Sequence, residues 1–165
     1  MKHDKALLIS YLAGYFDGEG CITTRSEEGK RFSNPNLGID SRYDRKPLDL
    51  MASIFGGKVM IRWSNRDQKS FYHWNCWNSL EIRRALKLML PFLKTKKMQA
   101  QEAIRLAERI IVGNRKRKNH LLSKHEREKR EELSDKIRDL KHQLPNELKR
   151  AETKRKNNIQ TMLKR

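Results

Sequence analysis

Two hydrophobic periods alternate along the first 112 residues, and they mark out a series of helices and strands. Residues 6–18 have the length and apolar character of a helix. Residues 21–25 (Cys-Ile-Thr-Thr-Arg) are rich in β-branched side chains and predict a strand. Residues 26–35 hold Ser, Gly, Asn and Pro and predict a turn-rich connection to a second strand over 36–42. Leu48, Met51, Ala52 and Phe55 form one stripe of a helix over 46–55, with Pro47 in its first turn and Gly56-Gly57 at its end. Two further strands, 58–63 and 70–77, flank the polar turn Ser64-Asn65-Arg66-Asp67. Helices over 79–90 and 95–112 follow, separated at Pro91. The order α-β-β-α-β-β-α-α predicts an α+β domain with an antiparallel four-stranded sheet.

Alternation along the strands sorts their side chains onto two faces. Ile22 and Thr24, Val59 and Ile61, and Tyr72, Trp74 and Cys76 form a face that suits helices. Thr23 and Arg25, Lys58 and Arg62, and His73 and Asn75 fall on the other. A sheet face bearing Arg and Asn can lie in a DNA groove and read base edges. Arg66, in the turn between the two strands, extends that candidate DNA-binding set.

The chain has 165 residues, a formal net charge of +18 and a pI near 10.2. Such a charge argues about partners rather than fold, and nucleic acid is the leading polyanion. An anionic membrane is disfavoured, because no basic helix with large apolar anchors stands out and no run of 18 apolar residues exists. The N-terminal residues show no signal-peptide pattern, and Cys21 and Cys76 suggest neither a disulfide scaffold nor a zinc site. Together these predict an intracellular protein. Residues 1–112 carry 20 Lys+Arg against 12 Asp+Glu, and residues 113–165 carry 18 against 8 with no aromatic residue. The division predicts a domain over 1–112 and a basic helical C-terminal extension over 113–165.

The densest chemistry lies in residues 12–20, Leu-Ala-Gly-Tyr-Phe-Asp-Gly-Glu-Gly. Glycine inside a helix costs about 1 kcal/mol relative to alanine, so three of them require a reason. Gly14 and Gly18 are four apart and share a helix face, where small residues admit a second backbone. Gly20 is expected to end the helix in a left-handed turn. Glu19 then sits at the negative end of the helix dipole, a conflict that a bound cation would relieve.

These residues resemble the LAGLIDADG motif of homing endonucleases. Leu12, Ala13, Gly14, Asp17 and Gly20 match it; Tyr15 and Phe16 replace Leu and Ile, and Gly18-Glu19 stands for Ala-Asp. The resemblance extends over about 6–110, through the element order αββαββα of the family's half-domain, through residues 55–59 (Phe-Gly-Gly-Lys-Val) and through residues 91–100 (Pro-Phe-Leu-Lys-Thr-Lys-Lys-Met-Gln-Ala). It implies a site-specific double-strand DNA endonuclease of the intron-homing kind. Glu19, with Gly18 beside it, would hold divalent metal, Mg2+ or a similar cation, and Lys96 would point at the active site. Where the family places a polar residue that organises water and metal, Asp40 is the nearest counterpart, with Ser41 or Arg42 if the register slips. A single motif implies a homodimer through Leu12, Gly14, Tyr15 and Gly18, and hence a pseudo-palindromic target. Two Glu19 carboxylates would then meet, which requires protonation or bridging cations.

Two other readings compete: a catalytically silent DNA-binding protein on the same scaffold, such as a transcription factor or intron maturase, and a generic basic RNA-binding protein. The extension leaves its own alternatives. Arg115, Lys116, Arg117 and Lys118 could grip DNA phosphates. A helix over 124–143, with Leu133, Ile137, Leu140 and Leu144 on one stripe, could dock on the domain.

Overall fold

The computed structural model describes residues 2–26, 33–66, 68–115 and 123–142. Nine elements follow in chain order: α1 (Lys2–Glu19), β1 (Gly20–Ser26), β2 (Ser33–Ser41), α2 (Lys46–Phe55), β3 (Lys58–Ser64), β4 (Lys69–Cys76), α3 (Ser79–Met89), α4 (Lys97–Arg115) and α5 (Lys124–His142). The four strands form one sheet of order β1-β2-β4-β3, antiparallel throughout.

The helices cover one face of this sheet. Ile22, Leu37, Ile39, Trp74 and Cys76 point into that layer and meet Leu12 and Phe16 of α1, Leu48, Met51 and Phe55 of α2, and Ile82, Leu86 and Met89 of α3. Phe16 and Trp74 meet edge to face, with ring centroids 6.3 Å apart. The alternation of polar and apolar residues predicts this face correctly. Its outer end is bare, however: Ile61 lies on the helix side of β3 but is exposed.

Several boundaries have local causes. Pro47 lies in the first turn of α2. Gly56 and Gly57 take φ of 86° and 82°, and a Cβ on Gly57 would lie 2.6 Å from the Asn75 carbonyl, so the helix-to-strand junction demands glycine. Asn78 caps α3, its side chain accepting from the backbone of Leu80 at 2.9 Å and Glu81 at 3.4 Å.

Three boundary expectations need correction. β2 starts at Ser33 rather than 36, because it pairs with β1 back to Ser26. Pro35 is tolerated there since the β4 pairing begins only at Leu37. α4 starts at Lys97, not 95, because the backbone of residues 94–96 is bonded elsewhere, as described below. Gly20 does not take a left-handed conformation; among the described residues only Gly56 and Gly57 are glycines with positive φ. Instead α1 runs straight into β1, and the missing side chain makes room for Phe16.

α5 is docked on the domain. Ile137 is fully buried, and Leu133 packs against the core. The buried Gln99 amide ties three elements, donating to the Ile22 carbonyl of β1 at 3.1 Å and to the Ile137 carbonyl of α5 at 3.0 Å. Arg130 is buried between α4 and α5, bonded to Glu126 at 3.0 Å and to the Arg109 carbonyl at 3.3 Å. Burial raises the Glu126 pKa, but hydrogen bonds from Arg109 and Arg130 outweigh it and hold the carboxyl below its usual range. Leu144 of the expected stripe lies outside the described residues.

Gly20→Ala tests the α1–β1 junction. The added Cβ would lie 2.4 Å from the Phe16 ring and 2.5 Å from the Phe16 carbonyl oxygen, and the backbone oxygen cannot give way. Urea denaturation should show a loss of about 1–3 kcal/mol, the usual cost of overpacking.

Candidate active site and nucleic-acid interface

The C-terminal end of α1 is tied to the start of α4 by one carboxylate. Asp17 accepts from three successive backbone N–H groups: Lys94 at 3.0 Å, Thr95 at 2.9 Å and Lys96 at 2.8 Å. Burial pushes the Asp17 pKa up, but these bonds and the Lys96 charge outweigh it, and the net shift is downward. The Lys96 ammonium returns the contact by donating to the Asp17 backbone carbonyl. A cation is thereby placed on the negative end of α1.

Glu19 follows two residues later and is exposed. The strand ladder begins immediately after it, at the pair Gly20–Ile39. Glu19 precedes Gly20 and Asp40 follows Ile39, so both flank the last pair of that ladder. The fold therefore brings Glu19, Asp40 and Lys96 to one end of the sheet, although Lys96 lies far from the other two in sequence. Tyr15 belongs to the same end. Burial raises its phenol pKa, a hydrogen bond with Ser41 opposes the rise, and the Glu19 charge adds to it.

Asp40 faces His73 across the β2–β4 pairing, and its carboxylate lies 2.5 Å from His73 Nδ1. His73 Nε2 lies 3.0 Å from the Asn75 amide nitrogen. Asn75 is buried and only 12% of the His73 side chain is exposed. Both were expected to contact DNA directly. They lie on the polar face, where their polar atoms are engaged with each other and with Asp40.

The rest of that face is open. Arg25, Lys58 and Arg62 are exposed on it, Thr23 is half-buried, and Arg66 is exposed in the turn after β3. The Lys58 ammonium sits 5.9 Å from the centroid of the Trp77 ring, which is itself exposed. The bare basic side chains outnumber acids here, which suits a polyanion. Lys116, Arg117 and Lys118 lie outside the described residues. Arg115 ends α4, and its side chain is likewise outside the description.

The exposed side of α1 runs through Leu7, Tyr11, Gly14 and Gly18, at spacings of four, three and four. Leu7 is 68% exposed and Tyr11 55%. A Cβ on Gly14 or Gly18 would meet nothing within 4 Å. Leu12, expected at a dimer interface, is instead buried in the subunit's own core. Leu7 and Tyr11 went unremarked in the sequence; their helical spacing from Gly14 was the available signal. Asp17, matched only as a motif letter, carries the local architecture.

The sequence matches no protein-family model and no curated protein sequence. Solved structures do match. The homing endonuclease I-CvuI, in complex with a DNA target, shares 20% identity, with 87% of each chain covered and a TM-score of 0.67. The archaeal intron-encoded homing endonuclease I-Vdi141I, complexed with DNA, shares 15% identity over 85% of this chain and 86% of its own, with a TM-score of 0.65. The LAGLIDADG homing endonuclease I-GzeII shares 14% identity over 76% of this chain but only 42% of its own, with a TM-score of 0.58. The chain has the LAGLIDADG homing-endonuclease fold.

Asp17→Asn should loosen the α1–α4 tie. An amide offers one acceptor oxygen where the carboxylate offers two, and the charge is lost. Thermal unfolding at pH 7 should report a loss of about 2 kcal/mol, the upper range for losing a helix-capping acid. The folded-state pKa of Asp17 is depressed, so its contribution is fully present above its unfolded value of about 4 and fades as pH falls through the folded value. The stability gap between wild type and variant should therefore narrow below about pH 4; a constant gap from pH 7 to pH 2 would contradict the assignment.

Proposed function

We propose that this chain is a site-specific, double-strand DNA endonuclease that acts as a homodimer with divalent metal. The observation that carries the reading is the end of α1. It presents an exposed Glu19 carboxylate two residues after Asp17, whose backbone carbonyl accepts from Lys96, and a helix face bared at Gly14 and Gly18. A second α1 laid against that face can approach closely, because no side chain stands at either glycine. The two Glu19 carboxylates then converge on the two-fold axis, and the cationic sheet faces of both copies align along one DNA groove. The match to less than half of I-GzeII supports a site completed by a second copy. A two-fold protein calls for a pseudo-palindromic target.

The donor chemistry fits a hard cation. Among the described residues of one chain, no three His, Cys, Asp or Glu residues cluster as a metal site. Across the proposed interface, two Glu19 carboxylates and the adjacent Gly18 carbonyls supply oxygen donors of the kind Mg2+ takes. The chemistry a divalent cation supplies there is neutralisation of the charge that builds on the phosphate under attack. Lys96, held at the helix end by Asp17, brings a second positive charge to the same phosphate. Asp40 borders the space where a nucleophilic water would sit. Arg25, Lys58, Arg62 and Arg66, with Thr23, hold the duplex in register through phosphates and base edges. Arg115, Lys116, Arg117 and Lys118 would add flanking phosphate contacts, which steepen the salt dependence of binding.

Selection of cleaved sequences from a DNA library, with Mg2+, tests the activity and yields the target. On that target Glu19→Gln should lower the single-turnover cleavage rate at least about a hundredfold, as loss of a charge-stabilising group does, while affinity stays near wild type. Binding without any cleavage by the wild type would leave only a DNA-binding function.

Gly14→Leu should separate the helices without disturbing the subunit, since the space beside Gly14 is empty within it. Sedimentation should show the variant as a folded monomer lacking cleavage. A fully active monomer would refute the dimeric site.

A further inference from the structure

We infer that His73 is a positioning residue: it holds Asp40 in place as the carboxylate that takes a proton from the attacking water. The inference rests on the endonuclease reading above. A carboxylate has only lone pairs to offer, so the hydrogen bond between Asp40 and His73 places the proton on Nδ1 and makes the imidazole the donor. The tautomer leaves a lone pair on Nε2, and the Asn75 amide donates to it. The ring has little freedom. A Cβ on Gly38, which pairs with Asn75, would lie 3.3 Å from His73 Cε1, so the imidazole rests close over that glycine. The chain Asn75–His73–Asp40 thus runs from a buried amide outward to a carboxylate that is 64% exposed.

That carboxylate stands on a face otherwise given to Arg25, Lys58 and Arg62, where it opposes DNA phosphates. Glu19 and Asp40 flank the last β1–β2 pair, Gly20–Ile39, one before Gly20 and the other after Ile39. Fixing its rotamer there does for Asp40 what a bare surface acid cannot: it holds the acceptor in one geometry before the substrate arrives. In the step, the water oxygen forms a new bond to phosphorus and the bond from phosphorus to the 3′ oxygen breaks. One water proton passes to Asp40 and on to solvent, and the 3′ oxygen takes a proton from solvent. His73 keeps its proton throughout.

Two amide substitutions separate positioning from mere packing. The Asn side-chain nitrogen falls near the place of Nδ1 and can donate to Asp40; that of Gln falls near Nε2 and cannot. Single-turnover cleavage of the selected target in Mg2+, with affinity and melting temperature measured alongside, compares wild type, His73→Asn and His73→Gln. His73→Asn should cut within about threefold of wild type, and His73→Gln about tenfold or more slower at unchanged affinity, the scale of a mispositioned catalytic group. In an Asp40→Asn background, His73→Gln should cause no further loss, because both changes remove the same unit. Equal rates for the two His73 variants, or a fall in rate matched by a fall in affinity, would overturn the positioning role while leaving the endonuclease reading intact. A wild type that selects no cleaved sequence fails the endonuclease reading itself, and this inference with it.

Discussion

The site depends on the three hydrogen bonds that Asp17 accepts from the backbone of residues 94–96. Without them, the segment between α3 and α4 has no fixed height relative to α1. Lys96 would then have no defined distance from Glu19. One carboxylate sets the start of α4, and α4 carries Gln99, whose amide in turn fixes β1 and α5. The geometry of this end of the sheet thus passes through a single side chain, that of Asp17.

α1 serves three demands at once. Leu12, Ala13 and Phe16 fill the core, Asp17 anchors α4, and Gly14 and Gly18 leave the opposite face bare. Helical periodicity makes this division possible, because residues three and four apart share a face while their neighbours look elsewhere. It also explains why an acid so close to the core, at position 19, can remain exposed. The helix stops there, and the chain turns into β1 before Glu19 could be covered.

The order of elements was legible in the sequence, and so was the sorting of strand side chains, because both rest on local periods. α2 and both glycines that end it fall where the pattern puts them. Depth was not legible. Alternation places His73 and Asn75 on the polar face, but it cannot show that neighbouring strands and Gly38 leave them little access to solvent. Leu12 reads as a motif residue of a dimer helix, while its place in the core depends on which side of α1 the sheet lies. The roles of Asp17 and Gln99 depend on partners far away in sequence, with no local signal. The early start of β2 was hidden by Pro35, whose tolerance depends on where β4 begins to pair. The docking of α5 was half legible: its apolar stripe is regular, but the buried Arg130 looks like any other surface arginine of a basic helix.

The pair Gly20–Ile39 makes β1 and β2 a ruler. Strand side chains alternate with a period of two, so pairing can shift only in even steps without exchanging faces. Losing one residue inside β2 ahead of Asp40, with the register kept at the start of the strand, would move Asp40 into the place of Ile39, toward the helices, and bring an apolar side chain onto the polar face. Point substitutions on the polar face escape this constraint, since they change one side chain and leave the count intact. The polar face can therefore change its exposed groups freely, while the number of residues along each paired strand up to the pair Gly20–Ile39 is held.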